Sequence, residues 1–165
     1  MTSAVQVIPH SREHGADDSG IGPLPFPVTP LIGRDSLVAD VTERLTSPEV
    51  RLLTLVGPGG IGKTRLGLEV AHAVRGHFPD GAHLLRLASV NDPSLVPVIL
   101  ARALDVRGPV DDPRAWAVAR DRRCLLVLDN FEHLVEAALS VADVLTRCPE
   151  ITVLVTSRAP LHISG

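Results

Sequence analysis

Gly57-Pro58-Gly59-Gly60-Ile61-Gly62-Lys63-Thr64 places residue types at a spacing that suits one task, the holding of phosphate. The stretch matches G-x-x-x-x-G-K-[ST]. Successive backbone N–H groups must point inward at phosphate oxygens, and side chains would block that approach. Gly57, Gly59, Gly60 and Gly62 leave the backbone bare and permit positive φ. A helix that begins here aims its N-terminal dipole and free N–H groups at the same anion. Lys63 brings a full positive charge to the β- and γ-phosphates of a nucleotide, and the Thr64 hydroxyl is a hard oxygen ligand for Mg²⁺. Nucleotide contacts are therefore expected along Gly57, Pro58, Gly59, Gly60, Ile61, Gly62, Lys63, Thr64 and the following Arg65. A simple turn would account for Pro58-Gly59-Gly60. It would not account for Gly62-Lys63-Thr64 at the right offset, the apolar run before it and the helical pattern after it.

A phosphate loop needs a second carboxylate to hold Mg²⁺, directly or through water. Asp129 ends the apolar run Cys124-Leu125-Leu126-Val127-Leu128 and is the candidate metal residue with Thr64; its bland alternative is the start of a turn at Asp129-Asn130. Hydrolysis further needs a group that orients water. Asn130, Glu132 and His133 follow Asp129, and Glu132 is the carboxylate among them. Glu132 is thus the expected catalytic group, against the alternative of a first-turn residue favoured by a helix dipole. Arg158 follows the last apolar run directly, where a guanidinium reaches a γ-phosphate or else sits exposed. Guanine specificity normally shows an Asn-Lys-x-Asp element. The chain has no Asn-Lys pair, which favours ATP or ADP over the guanine nucleotides.

Elements must position these groups. The 165 residues suit one domain, with 45% hydrophobic and 21% charged residues. The net charge of −3 marks no nucleic-acid or membrane binder, and no apolar stretch is long enough to span a bilayer. Four aromatic residues, Phe26, Phe78, Trp116 and Phe131, leave the core to aliphatic side chains. Cys124 and Cys148 show no metal spacing and read as reduced thiols of a cytoplasmic protein. Residues 1–29 read as a disordered Pro/Gly-rich tail, and residues 30–165 as the folded domain.

Within that domain, a helix is expected from Asp35 or Ser36 to about Leu45, with Leu37, Val41 and Leu45 inward. A strand over 51–56 leads into the phosphate loop. The next helix, from Lys63 to about Arg75, should bury Leu66, Val70 and Ala73. A short strand over 83–87 follows. Asp92-Pro93 and Asp112-Pro113 each combine a cap with a first-turn proline, and Pro97 should delay the first of these two helices. The run 124–128 suits a strand buried on both faces. A helix carrying Leu134, Ala138, Val141 and Leu145 leads to a fourth strand over 151–155. Strands alternating with helices imply an α/β fold with right-handed crossovers, and all the candidate chemistry then lies at one edge of a parallel sheet.

Leu31-Ile32-Gly33-Arg34-Asp35, the loop Gly57–Thr64, Leu126-Val127-Leu128-Asp129-Asn130-Phe131-Glu132-His133 and Thr156-Ser157-Arg158-Ala159-Pro160 together resemble the signal-transducing NTPases of the NB-ARC and AP-ATPase (STAND) type, as found in large actinobacterial LuxR-type and SARP-type transcriptional regulators. The resemblance covers about residues 30 to 165. It implies a P-loop three-layer sandwich with about four strands present, in the order second-third-fourth-first. It places Ile32, Gly33 and Arg34 on the adenosine side and Arg158 at the γ-phosphate. Many relatives carry two adjacent acids where this chain has Asp129-Asn130, so slow hydrolysis at best is implied, with Glu132 as substitute. In the family a fifth strand, helical domains and DNA-binding domains follow. A protein partner or those further domains are accordingly expected to complete this N-terminal portion, and no direct nucleic-acid binding is expected of this chain. The competing reading is a non-catalytic nucleotide-binding module or an inert fragment.

Overall fold

A computed structural model describes residues 20–26 and 31–161. Most of the expected N-terminal tail therefore lies outside the described residues. Five strands and four α-helices follow in the order β1 (Ile21–Pro23), α1 (Asp35–Thr46), β2 (Leu52–Val56), α2 (Lys63–Val74), β3 (Ala82–Arg86), α3 (Val96–Ala103), β4 (Leu125–Asp129), α4 (Ala138–Arg147) and β5 (Thr152–Ser157). The sheet order is β1-β3-β4-β5-β2. β3, β4, β5 and β2 pair in parallel, which is the order implied by the resemblance. β1 corrects the expectation of four strands and of a tail to residue 29. It pairs antiparallel with β3, with Gly22 opposite Leu84. A three-residue edge strand holding Gly22 and Pro23 has almost no propensity signal, and proline is tolerated there because an edge N–H needs no ladder partner.

The central strands are buried on both faces, so their successive side chains divide between two cores. Leu126, Leu128, Val153 and Val155 face one core, with α3, α4 and Trp116. Leu125, Val127 and Leu154 face the other, with Val41 and Leu45 of α1 and Leu66, Val70 and Val74 of α2. Helices thus cover both faces of the sheet, the three-layer arrangement expected. Two inward residues differ from expectation. Leu37 is 40% exposed, because α1 turns Val41 and Leu45 inward and leaves Leu37 at the margin. Ala73 is exposed, and α2 instead buries Gly67, Ala71 and Val74 beside Leu66 and Val70. The stripe is wide because α2 touches the sheet and α1 at once.

The proline-led starts behave as their chemistry requires. The Asp92 carboxylate accepts from Ser94 N at 2.9 Å and opens a 3₁₀ turn, Pro93–Leu95, and α3 begins only at Val96. The Asp112 carboxylate accepts from Arg114 N at 2.9 Å, but the segment Pro113–Val118 stays 3₁₀. Trp116 is core, its indole N–H donating to the Val110 carbonyl at 2.9 Å. Cys124 and Cys148 are buried free thiols. Burial pushes the Cys124 thiol up to about 12 and raises that of Cys148, so neither is a ready thiolate. Among the described residues no helix is long and apolar enough to cross a membrane.

Candidate functional site

The parallel strands end on one side of the sheet, and the loop after β2, the turn after β4 and the bend after β5 meet there. The loop is shaped by its glycines. Gly62 caps α2 at φ 87°, and Gly60 sits at φ 78°, both in the left-handed region that favours glycine. A Cβ on Gly57 would come within 2.5 Å of Ile61 Cδ1, so Ile61 folds back over the loop only because Gly57 is bare. α2 has no acidic residue in its first turn, which leaves its N–H groups without a competing carboxylate. The Lys63 ammonium lies across the loop and donates to the carbonyls of Gly57 at 2.8 Å and Pro58 at 2.9 Å. An ammonium carries three N–H donors, so one is left over for an anion.

Beside the loop, Asp129 is buried at the end of β4. Its Oδ1 accepts from the Thr64 hydroxyl at 2.6 Å and from the Thr156 hydroxyl at 2.6 Å. Thr156 Oγ1 in turn accepts from Asn130 N at 3.1 Å. Asn130 holds φ 64°, a conformation asparagine tolerates better than most residues, and so turns the chain sharply after the strand. Thr64 and Asp129, the two expected metal residues, are thus brought together as hard oxygen donors, a set that fits Mg²⁺.

Glu132 and Arg158 also converge. Arg158 Nε donates to Glu132 Oε1 at 2.9 Å, and the guanidinium carbon lies 3.5 Å from the position a Gly59 Cβ would take. The side chain of Arg158 is 65% exposed and that of Glu132 19%. Glu132 Oε2 is buried without a hydrogen-bond partner among the described residues.

A cavity of about 560 Å³ joins the loop to Glu132 and Arg158; Asp129 does not line it and meets it through Thr64 and Thr156. Gly59, Gly60, Gly62, Lys63, Thr64 and Arg65 of the expected nucleotide set line it, with Glu132 and Arg158. Gly57, Pro58 and Ile61 do not line it. The expected adenosine-side residues stand apart. Ile32 is 89% exposed, and neither it nor Gly33 lines the cavity. Arg34 reaches nearer, its Nη1 3.8 Å from the position of a Gly62 Cβ. Sequence reasoning missed Pro25, Phe26 and Leu68, which line the cavity away from the phosphate loop, and it gave Thr156 no role. Pro25 and Phe26 fell within the expected tail, and Leu68 lay outside the stripe of Leu66, Val70 and Ala73 expected to face inward.

No protein-family model matches the chain. A putative HTH-type transcriptional regulator of Mycobacterium tuberculosis is 40% identical over 121 residues, covering 70% of this chain and 13% of the regulator. An uncharacterized protein of the same species is 35% identical over 144 residues, covering 84% and 36%. The regulatory protein AfsR of Streptomyces griseus is 33% identical over 150 residues, covering 82% and 15%. The chain therefore spans 13% to 36% of the length of these relatives. Cdc6p from Pyrobaculum aerophilum superposes with a TM-score of 0.58 at 15% identity, over 84% of this chain and 42% of that one. The Aeropyrum pernix ORC2 protein, solved as ADPNP-ADP complexes, superposes with a TM-score of 0.51 at 15% identity, over 77% and 41%. The chain has the α/β fold of the P-loop ATPases, and its sequence relatives include transcriptional regulators.

Proposed function

We propose that this chain binds Mg-ATP and Mg-ADP in the cavity beside Gly57–Thr64, as the nucleotide-binding portion of an NB-ARC-type switch in a transcriptional regulator. The observation that carries the reading is the Asp129 carboxylate, held by the Thr64 and Thr156 hydroxyls at 2.6 Å each beside a glycine loop that ends in a helix. Mg²⁺ bound by Thr64 and Asp129 would neutralise charge on the phosphates. The loop amides, the α2 N-terminus and Lys63 hold the phosphate chain. Arg158, already against Gly59, reaches the terminal phosphate. The ORC2 neighbour was solved with adenine nucleotides, which supports the same ligand class here. We assign the switch to the cytoplasm, with further domains or a protein partner to receive its state and no direct DNA contact by this chain. Residues 30–165 would form the nucleotide-binding unit. Displacement of a labelled ATP analogue tests the ligand: Mg-ATP and Mg-ADP should compete at lower concentration than Mg-GTP, and equal displacement by GTP would remove the adenine assignment.

Hydrolysis in this reading is slow. Glu132 Oε1 is engaged by Arg158 and Oε2 is buried, so the carboxylate must part from Arg158 or turn before it can accept from an attacking water. Asn130, an amide, orients water but is a poor base. Glu132→Gln is expected to lower phosphate release from Mg-ATP by about 100-fold, in line with loss of a general base. Turnover as fast as the parent's would assign Glu132 a purely structural part. The engagement of Glu132 by Arg158 also favours a second reading, a nucleotide-binding module that does not turn over; undetectable release by the parent chain, with nucleotide bound, would select it.

A further inference from the structure

Phe26 is one of four aromatic residues in the chain and is 76% exposed at the edge of the cavity. It is not loose. Its ring stacks on His72 of α2, with centroids 5.0 Å apart and planes inclined by 25°. His72 Nε2 lies 2.9 Å from the Pro25 carbonyl oxygen and ties the backbone beside Phe26 to the helix. Arg65, Leu68 and His72 follow at helical spacing on α2, so one face of the helix runs from the phosphate loop to this aromatic pair. The cavity consequently has two unlike ends. One carries Lys63, Arg158 and bare glycines; the other carries Pro25, Phe26 and Leu68. Between them Arg65 keeps Nε and Nη2 buried without a partner among the described residues.

A triphosphate held at the first end would leave the second end without a ligand group. An exposed phenyl ring beside an apolar helix residue is a stacking surface that accepts any flat heteroaromatic group. Resting on the nucleotide reading above, we propose that Phe26, braced by His72, is the base-contacting platform of the site, and that the purine packs against Phe26, Pro25 and Leu68. The base then lies on the segment before the Ile32-Gly33-Arg34 element, which stands outside the cavity. Arg65 supplies N–H donors between base and phosphates.

The test compares a ligand with a base and a ligand without one. Mg-ATP and Mg-tripolyphosphate are titrated into the full chain and into Phe26→Ala by calorimetry. Phe26→Ala should weaken ATP by about 5- to 100-fold, the value of one lost stacking contact, and leave tripolyphosphate within about twofold. Phe26→Trp should retain ATP binding, with Trp emission that responds to ATP and not to tripolyphosphate. ATP affinity unchanged in Phe26→Ala overturns the platform and leaves the nucleotide reading intact. Equal weakening of both ligands also overturns it, since Phe26 would then act on the loop. A parent chain that binds neither ligand overturns both readings.

Discussion

Lys63→Ala should abolish most of the stabilisation that nucleotide confers while leaving the chain's own stability nearly unchanged. A ligand at about 100 times its Kd stabilises the folded state by about 2.7 kcal/mol, which for a domain of this size raises the melting temperature by about 5 to 11 °C. The ammonium is the one full charge within the glycine loop, and on the proposed reading its loss removes a charge-assisted contact to phosphate. What it touches in the structure is cheap to lose. The carbonyl of Pro58 belongs to an exposed residue and that of Gly57 to a half-buried one, so water replaces the lysine at both. The parent and variant should therefore melt together without nucleotide and separate when Mg-ATP is added. A variant that shifts as far as the parent would show that Lys63 has no part in phosphate binding.

Phe131→Ala should destabilise the fold by about 3–5 kcal/mol, a large part of the roughly 5–15 kcal/mol that separates folded from unfolded domains. Phe131 has no exposed surface and packs in the core shared by α3, α4 and the sheet. It opens the 3₁₀ turn Phe131–His133, directly after the left-handed Asn130 and directly before Glu132. The ring thus anchors the turn that presents Asp129, Asn130 and Glu132. Truncation leaves a cavity that rigid neighbours on a central strand cannot close. Urea unfolding measures the loss; a change under about 1 kcal/mol would mean that the turn carries the ring without depending on it.

The parts of this molecule legible in the sequence are those in which one local pattern serves both fold and chemistry. The glycine loop demands a strand before it and a helix after it, and β2 and α2 supply them. Asp129 could be picked out because a strand buried on both faces reads as one apolar run, and a carboxylate at its end is conspicuous. Trp116, Val141 and Leu145 declared themselves by helical spacing or sheer size. What stayed hidden depends on distant partners. β1 holds only Ile21, Gly22 and Pro23 and exists because β3 offers it an edge. The contact of Arg158 with Glu132 and that of Phe26 with His72 join residues far apart in the chain. Thr156 stood just past the expected fourth strand, and only the pairing of β4 with a longer β5 puts its hydroxyl on Asp129. The burial of Ala71 in place of Ala73 is a matter of helix phase, settled by two packing surfaces that no single periodicity describes.

Arg51 stands just before β2, at the end of the strand remote from the phosphate loop. Its Nη2 donates to three carbonyls, those of Leu145 at 2.5 Å, Cys148 at 2.8 Å and Ile151 at 3.4 Å, which belong to the last turn of α4 and the approach to β5. Val153 N also donates to the Arg51 carbonyl at 2.8 Å. At the other end Gly57 N reaches the Ser157 carbonyl at 3.3 Å, and Val56 is 49% exposed. Among the described residues β2 has one neighbour in the sheet, β5. Every residue from Leu52 to Val56 is also paired with β5, so the height at which the glycine loop stands is set against Thr156 and Ser157 by a ladder that a guanidinium pins at its foot.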